Sequence, residues 1–233
     1  MEARRLENAI RLQRAYSRGL ARIAGRPLEA YVEVAARCNL ACRMCPITVD
    51  PRYAPGAGRP FLSEEVFRRL EELAPTLERA YLFGLGEPAL NPHLPEYVRR
   101  LHAAGVEVWV TTNATRIDER RAEALAAAGL DRATVSIDGA TKATYERIRV
   151  RGVFEEAVRG IRALAAARRR WGRPRVFLSA VAMRSNLGEW TDLVELCADA
   201  GGEGIFFEEL YDWADPRLHE NFERESLRDI PSE

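Results

Sequence analysis

Cys38, Cys42 and Cys45, spaced C-x3-C-x2-C, are three of the chain's four cysteines and directly follow an apolar run. Thiolates this close repel one another and stay reactive, so a metal or a redox reaction is the reason to keep them together. A structural zinc site takes four tetrahedral ligands, usually as two C-x2-C pairs, and no second pair is present. Three thiolates suit an iron–sulfur cluster whose fourth iron is left to a ligand other than cysteine. The fourth cysteine, Cys197, sits in the apolar helical stretch Leu193-Val194-Glu195-Leu196-Cys197 and reads as core.

The elements that must hold such a site follow a simple plan. Apolar, β-branched runs fall near residues 30–35, 80–84, 106–111, 132–137, 175–182 and 203–209, each followed by a longer amphipathic stretch. Six β–α steps imply a parallel α/β sheet with right-handed crossovers, either doubly wound or curled into part of a barrel. A weak repeat reinforces this: alanine-rich helix ends close on Gly105, Gly129 and Gly201 just before a strand. Residues 4–24 read as a leading amphipathic helix stopped at Gly25-Arg26-Pro27, which either docks a partner or covers exposed core. Segment 47–62, rich in proline and glycine, is a loop serving as lid or connector, and Ser63 caps the helix that follows.

In parallel βα architectures ligands gather at the carboxyl ends of the strands. The cysteines follow strand one, Gly84-Leu85-Gly86-Glu87-Pro88 strand two, and Thr112-Asn113 strand three. Strand four ends in Ser136-Ile137-Asp138-Gly139, strand five in Met183-Arg184-Ser185-Asn186, and strand six in Glu208-Glu209. Two stretches also read as helix capping boxes, Thr115-x-x-Asp118 and Asn186-x-x-Glu189. His93 and His102 read as helix residues.

The run Cys38-Asn39-Leu40-Ala41-Cys42-Arg43-Met44-Cys45-Pro46 resembles the signature of the radical S-adenosylmethionine (SAM) superfamily, in the form carried by its SPASM and twitch branch. Over about residues 31–210 this resemblance implies a parallel (β/α)6 partial TIM barrel, here with an N-terminal helix. It implies a [4Fe-4S] cluster on Cys38, Cys42 and Cys45, with SAM chelating the open iron. It further implies reductive cleavage of SAM to a 5′-deoxyadenosyl radical that abstracts hydrogen from a peptide or small-molecule biosynthetic substrate. By the same resemblance Gly84, Gly86 and Glu87 receive the SAM amino group, Asn113, Ser136 and Asp138 face its ribose, Met44 packs on adenine, and Arg149 meets the carboxylate, with Arg184 as rival. An electron donor such as a flavodoxin or ferredoxin is implied as a partner. The rival class is a zinc- or redox-responsive binding protein on an α/β scaffold.

The chain of 233 residues is long enough to bury roughly 70–75% of its unfolded surface. It divides by expectation into an N-terminal helical extension (1–29), a core (30–210) and a helical tail (211–233). Lys+Arg 35 against Asp+Glu 35 leaves no overall charge to recruit nucleic acid or anionic membrane. No apolar run approaches the ~20 residues that span a bilayer, so a cytoplasmic protein without a membrane partner is expected. After Gly201 the chain has no cysteine, so a single cluster is expected, with a substrate side completed by a partner chain, a second copy or further sequence outside these 233 residues. Glu208, Glu209, Tyr211 and Asp212 are candidates to face substrate.

Overall fold

In a computed structural model, which describes residues 2–54 and 56–228, six strands form one parallel sheet in sequential order. They are β1 (Glu29–Tyr31), β2 (Arg79–Tyr81), β3 (Glu107–Thr112), β4 (Arg132–Ser136), β5 (Arg175–Ala182) and β6 (Ile205–Glu209). Between them lie α2 (Glu64–Glu71), α3 (Leu94–Ala103), α4 (Glu119–Ala128), α5 (Lys142–Ile148), α6 (Phe154–Trp171) and α7 (Trp190–Asp199). An N-terminal helix, α1 (Glu2–Ser17), and a C-terminal one, α8 (Pro216–Glu225), flank this array. Each crossover carries a helix, and the sheet curls into the expected six-stranded partial barrel without closing, with β1 and β6 as its edges.

Alternation along the strands sets the layers. Val108, Val110, Ala133, Val135, Val176 and Leu178 point outward and are buried in the main core beneath the helices. Cys197 belongs to this core. Gly105, Gly129 and Gly201 each take the left-handed conformation, so the repeated alanine–glycine ends are helix stops.

Several local expectations are corrected. Strand one spans Glu29–Tyr31 and is shorter than 30–35: Val32 N–H still donates to Tyr81 O at 2.8 Å, after which the chain leaves the sheet and Ala35 pairs antiparallel with Phe61. The leading helix ends at Ser17, where Gly19 turns left-handed, not at Gly25. Neither capping box forms: Asp118 itself caps α4 through Arg121 N–H at 2.7 Å, and Asn186 makes no cap bond. Helix α8 lies over the strand ends, where Phe222 packs with Ile148, Met183 and Leu210, so it covers more than β6. Residues 229–233 of the expected tail and Pro55 of the 47–62 loop lie outside the described residues. No helix among the described residues is long and apolar enough to cross a membrane.

Candidate functional site: three thiols and an arginine on one wall

The cysteine loop is held by backbone bonds on both sides of Cys42. Ala41 N–H donates to Val150 O at 2.8 Å and Arg43 N–H to Ile148 O at 3.2 Å, tying the loop to the end of α5. Cys45 N–H donates to Cys42 O at 3.1 Å, and a short 3-10 turn over Pro46–Thr48 follows. Leu40 N–H lies 3.4 Å from Cys38 Sγ and Asn113 Nδ2 lies 3.8 Å from it, so this sulfur already has donors aimed at it. All four cysteines are free. Burial pushes the Cys38 thiol up to about 11 and Cys42 to about 12, and raises Cys45 as well. At neutral pH the metal-free thiols are protonated, and metal loading must release those protons.

These cysteines open onto a cavity of about 270 Å³ at the carboxyl ends of the strands. Met44, Gly84, Gly86, Glu87, Asn113, Ser136 and Arg149 share its wall, and Glu208, Glu209 and Tyr211 line it as well. Asp138 and Arg184 are not on the wall. Asp138 lies fully buried behind it, where Oδ1 accepts Val181 N–H at 2.8 Å and Oδ2 stands 2.7 Å from Arg149 Nε. That second contact is an ion pair too bent to be a hydrogen bond, which leaves both atoms without one. Arg184 donates its Nε–H to Ser226 O at 2.8 Å and so braces α8. Asp212 faces His219 at 3.6 Å, away from the cavity.

Arg149 is the cationic end of the wall. Burial opposes its charge most strongly, and the Asp138 carboxylate together with Cys42 and Tyr145 more than offsets this, holding the guanidinium pKa above its usual value. Its Nε is buried without a hydrogen-bond partner among the described residues. A buried guanidinium on a cavity wall suits a carboxylate.

Glu87 is differently placed. Its carboxylate accepts Ala89 N–H at 2.8 Å, Asn113 N–H at 2.7 Å and the Thr112 hydroxyl at 2.5 Å, so much of its acceptor capacity joins the second turn to the third. Burial raises its pKa against the pull of those donors. Asn113 extends the network: its Oδ1 accepts from the Thr115 hydroxyl at 2.7 Å, and its Nδ2 donates to Asn39 Oδ1 at 3.1 Å, back on the cysteine loop. Ser136 Oγ lies 3.4 Å from Ser179 Oγ, its partner in register across β4 and β5.

The residues present fit a cluster and an amino-acid carboxylate. A single zinc ion with sulfurs at about 2.3 Å needs ligands that converge on one point. Among the described residues no group of three His, Cys, Asp or Glu side chains does so. Thiolates that each bind a different iron need no such convergence.

The family model for the radical SAM superfamily matches residues 32–203. The chain belongs to that superfamily. It is 33% identical over 168 residues to the mycofactocin maturase MftC of Mycobacterium ulcerans, covering 70% of this chain and 42% of the relative. It is 29% identical over 171 residues to the AdoMet-dependent heme synthase of Oleidesulfovibrio alaskensis, covering 72% and 42%. In fold it is similar to SuiB of Streptococcus suis bound to S-adenosylmethionine, with a TM-score of 0.69 at 14% identity, covering 92% of this chain and 50% of that one. The chain thus spans less than half the length of these curated relatives.

Some site residues escaped the sequence reading. Glu33 and Ser179 were not singled out, and Asn39, Thr112 and Asn186 were named only as members of their motifs, without the bonds by which they organise the wall; an acid inside the apolar run Val32-Glu33-Val34 was a visible signal for the first of these. The others are short polar residues whose partners lie on distant loops.

Proposed function

We propose that this radical SAM core holds a [4Fe-4S] cluster on Cys38, Cys42 and Cys45 and acts in an enzyme that modifies a peptide or small-molecule substrate. When bound, cluster and SAM together supply a 5′-deoxyadenosyl radical by one-electron reductive cleavage, and this radical takes a hydrogen atom from the substrate. The observation that carries the reading is that three free thiols and the unsatisfied guanidinium of Arg149 share one cavity wall.

The chain's own residues have distinct tasks. The three thiols release their protons and ligate iron, and Asn113 Nδ2 and Leu40 N–H direct positive dipoles at Cys38 sulfur. Arg149, fixed by Asp138, binds the SAM carboxylate, while the turn at Gly84 and Gly86 brings backbone up to its amino group. Ser136 offers a hydroxyl to the ribose, and Met44 an adaptable apolar surface to adenine. Asp138 acts through Arg149 instead of touching SAM. Glu208, Glu209 and Tyr211 form the substrate-facing part of the wall. A one-electron donor such as a flavodoxin or ferredoxin supplies the reducing equivalent.

Anaerobic purification with iron and sulfide analysis, followed by incubation with SAM and dithionite, tests the reading. About one cluster of four irons and four sulfides per chain, and formation of 5′-deoxyadenosine, is the expected result. Stoichiometric zinc without sulfide would establish the metal-binding alternative instead.

A further inference from the structure

Glu33 follows β1 by two residues, lies outside the cavity wall, and is built into the turn that carries Gly84 and Gly86. Its Oε1 accepts the Leu85 N–H at 2.7 Å and the Gly86 N–H at 3.3 Å. A Cβ at Gly84 would come within 2.5 Å of the same oxygen, so glycine is required there by the carboxylate's approach. On its other side the turn meets the cysteine strand, where a Cβ at Gly86 would lie 1.9 Å from Ala35 O. Tyr53, on the 47–62 loop, donates its hydroxyl to the Glu33 carboxylate at 3.0 Å. One side chain thus joins the first strand, the glycine turn and the long loop.

We propose that Glu33 is a positioning residue for SAM: its carboxylate fixes the backbone of the Leu85–Gly86 turn in the conformation that receives the amino-acid end of SAM, and Tyr53 holds that carboxylate in place. This deepens the function proposed above and rests on the glycine turn being a SAM contact. The physical reason is orientation. With two N–H groups directed at Glu33, the backbone at Leu85 and Gly86 is fixed relative to the cysteine loop, a restraint that the two glycines, without side chains, do not supply themselves. A carboxylate accepting two backbone N–H groups forms charge-assisted bonds, stronger than a neutral acceptor makes. Tyr53 keeps the carboxylate from rotating away and couples the turn to the loop.

The test uses the cluster-loaded full chain with Glu33→Ala, Glu33→Gln and Tyr53→Phe. Three quantities are read: iron and sulfide content, SAM affinity from the spectral change of the reduced cluster, and amide hydrogen exchange at residues 84–87. Glu33→Ala is expected to weaken SAM binding by about tenfold and to deprotect the Leu85 and Gly86 amides, with cluster content unchanged. Glu33→Gln keeps an acceptor oxygen of the same reach and is expected to restore most of the affinity, an outcome that mere loss of packing does not produce. Tyr53→Phe leaves both amide bonds and is expected to cost about two- to threefold. Unchanged SAM affinity in Glu33→Ala at wild-type iron content overturns the proposal, and should that variant not fold, a Glu33→Gln variant that binds SAM about tenfold more weakly than wild type at full iron content overturns it as well. If the wild-type, cluster-loaded chain binds no SAM, the proposed function fails. Exchange then judges Glu33 alone: lost protection in Glu33→Ala upholds its hold on the turn, and retained protection refutes it.

Discussion

The two faces of the sheet come from the same alternating strands, yet they are finished by different chemistry. On the outer face Val108, Val110, Val135, Val176 and Leu178 are sealed under helices. Among the described residues no helix fills the inner face. Its amino-terminal half is closed by charge and aromatic stacking: Arg79 lies between Glu29 at 2.9 Å and Glu107 at 2.8 Å, and its guanidinium stands 4.3 Å from the Trp109 ring centre. Its carboxyl-terminal half carries Thr111 and Ser136 in the same inward rows, small residues that leave the cavity open. The difference teaches that the site is the part of the barrel interior that the sequence declines to fill.

The sharpest way to break this comparison is to remove a sulfur from each face. Cys42→Ala, on the cavity, is expected to abolish cluster binding, because three thiolates are the whole protein ligand set for the iron. Cys197→Ala, in the outer core, is expected to leave iron content unchanged and to cost about 1 kcal/mol of stability for the small apolar volume lost. Iron analysis of both variants decides it, and equal losses would end the distinction between the faces.

Gly86→Val comes next. From sequence, this change ought to disturb SAM alone, since glycine turn and cysteines lie on separate loops. In the structure a Cβ there meets Ala35 O at 1.9 Å and Arg37 N at 2.9 Å, one residue before Cys38. The clash falls on backbone that cannot rotate away, so the variant is expected to lose both SAM binding and cluster content, and about 3 kcal/mol or more of stability. Normal iron with weakened SAM binding would show the two loops to be independent after all.

Leu125→Ala then probes the outer face alone. Leu125 is fully buried in the main core and its loss is expected to cost about 2–5 kcal/mol. Iron content and SAM affinity of the folded fraction are expected to hold, measured beside urea unfolding. Weakened SAM affinity at full iron loading would mean that core packing sets the cavity.

How much of this was legible in advance follows from the same contrast. The outer face was readable because burial imposes alternation, and the helix stops because glycine alone takes the left-handed turn cheaply at Gly129. The cysteines announced themselves by spacing. Asp138 was misread as a ribose contact because Asp-Gly after a strand looks the same whether its carboxylate faces a ligand or, as here, an arginine eleven residues later in the chain. The role of Asn186 was hidden for a related reason: its bonds go to Asp138 O at 2.9 Å and Val181 O at 2.8 Å, so it supports the strand ends while matching a capping pattern by sequence alone. Glu189 likewise serves another helix, accepting Ala140 N–H at 2.8 Å and the Thr141 hydroxyl at 2.9 Å at the start of α5. Short polar residues satisfy whichever loop the fold brings near, and a single sequence does not record that loop.

The smallest effect belongs to the filled half of the inner face. Arg132 stands 4.2 Å from the ring centres of both Trp109 and Phe177 and 4.9 Å from that of Phe206, so one cation bridges β3, β5 and β6 from β4. Burial lowers its pKa, with Arg175 nearby adding repulsion, which means the rings stabilise a charge that the site otherwise disfavours. Arg132→Met keeps an apolar stem of similar reach over the rings and removes the charge. The lost cation–π attraction is worth about 0.5–2 kcal/mol, and relief of desolvation and of the Arg175 repulsion offsets part of it, so a net loss near the lower end of that range is expected. Thermal unfolding at low and high salt separates the two terms, because screening weakens the repulsion from Arg175 more than the short-range stacking. Since Arg132 begins its strand at the end remote from the cysteines, SAM affinity and iron content are expected to stay at wild-type values. A loss of SAM binding in Arg132→Met would show that the filled half of the barrel supports the open half, and that the two are one site.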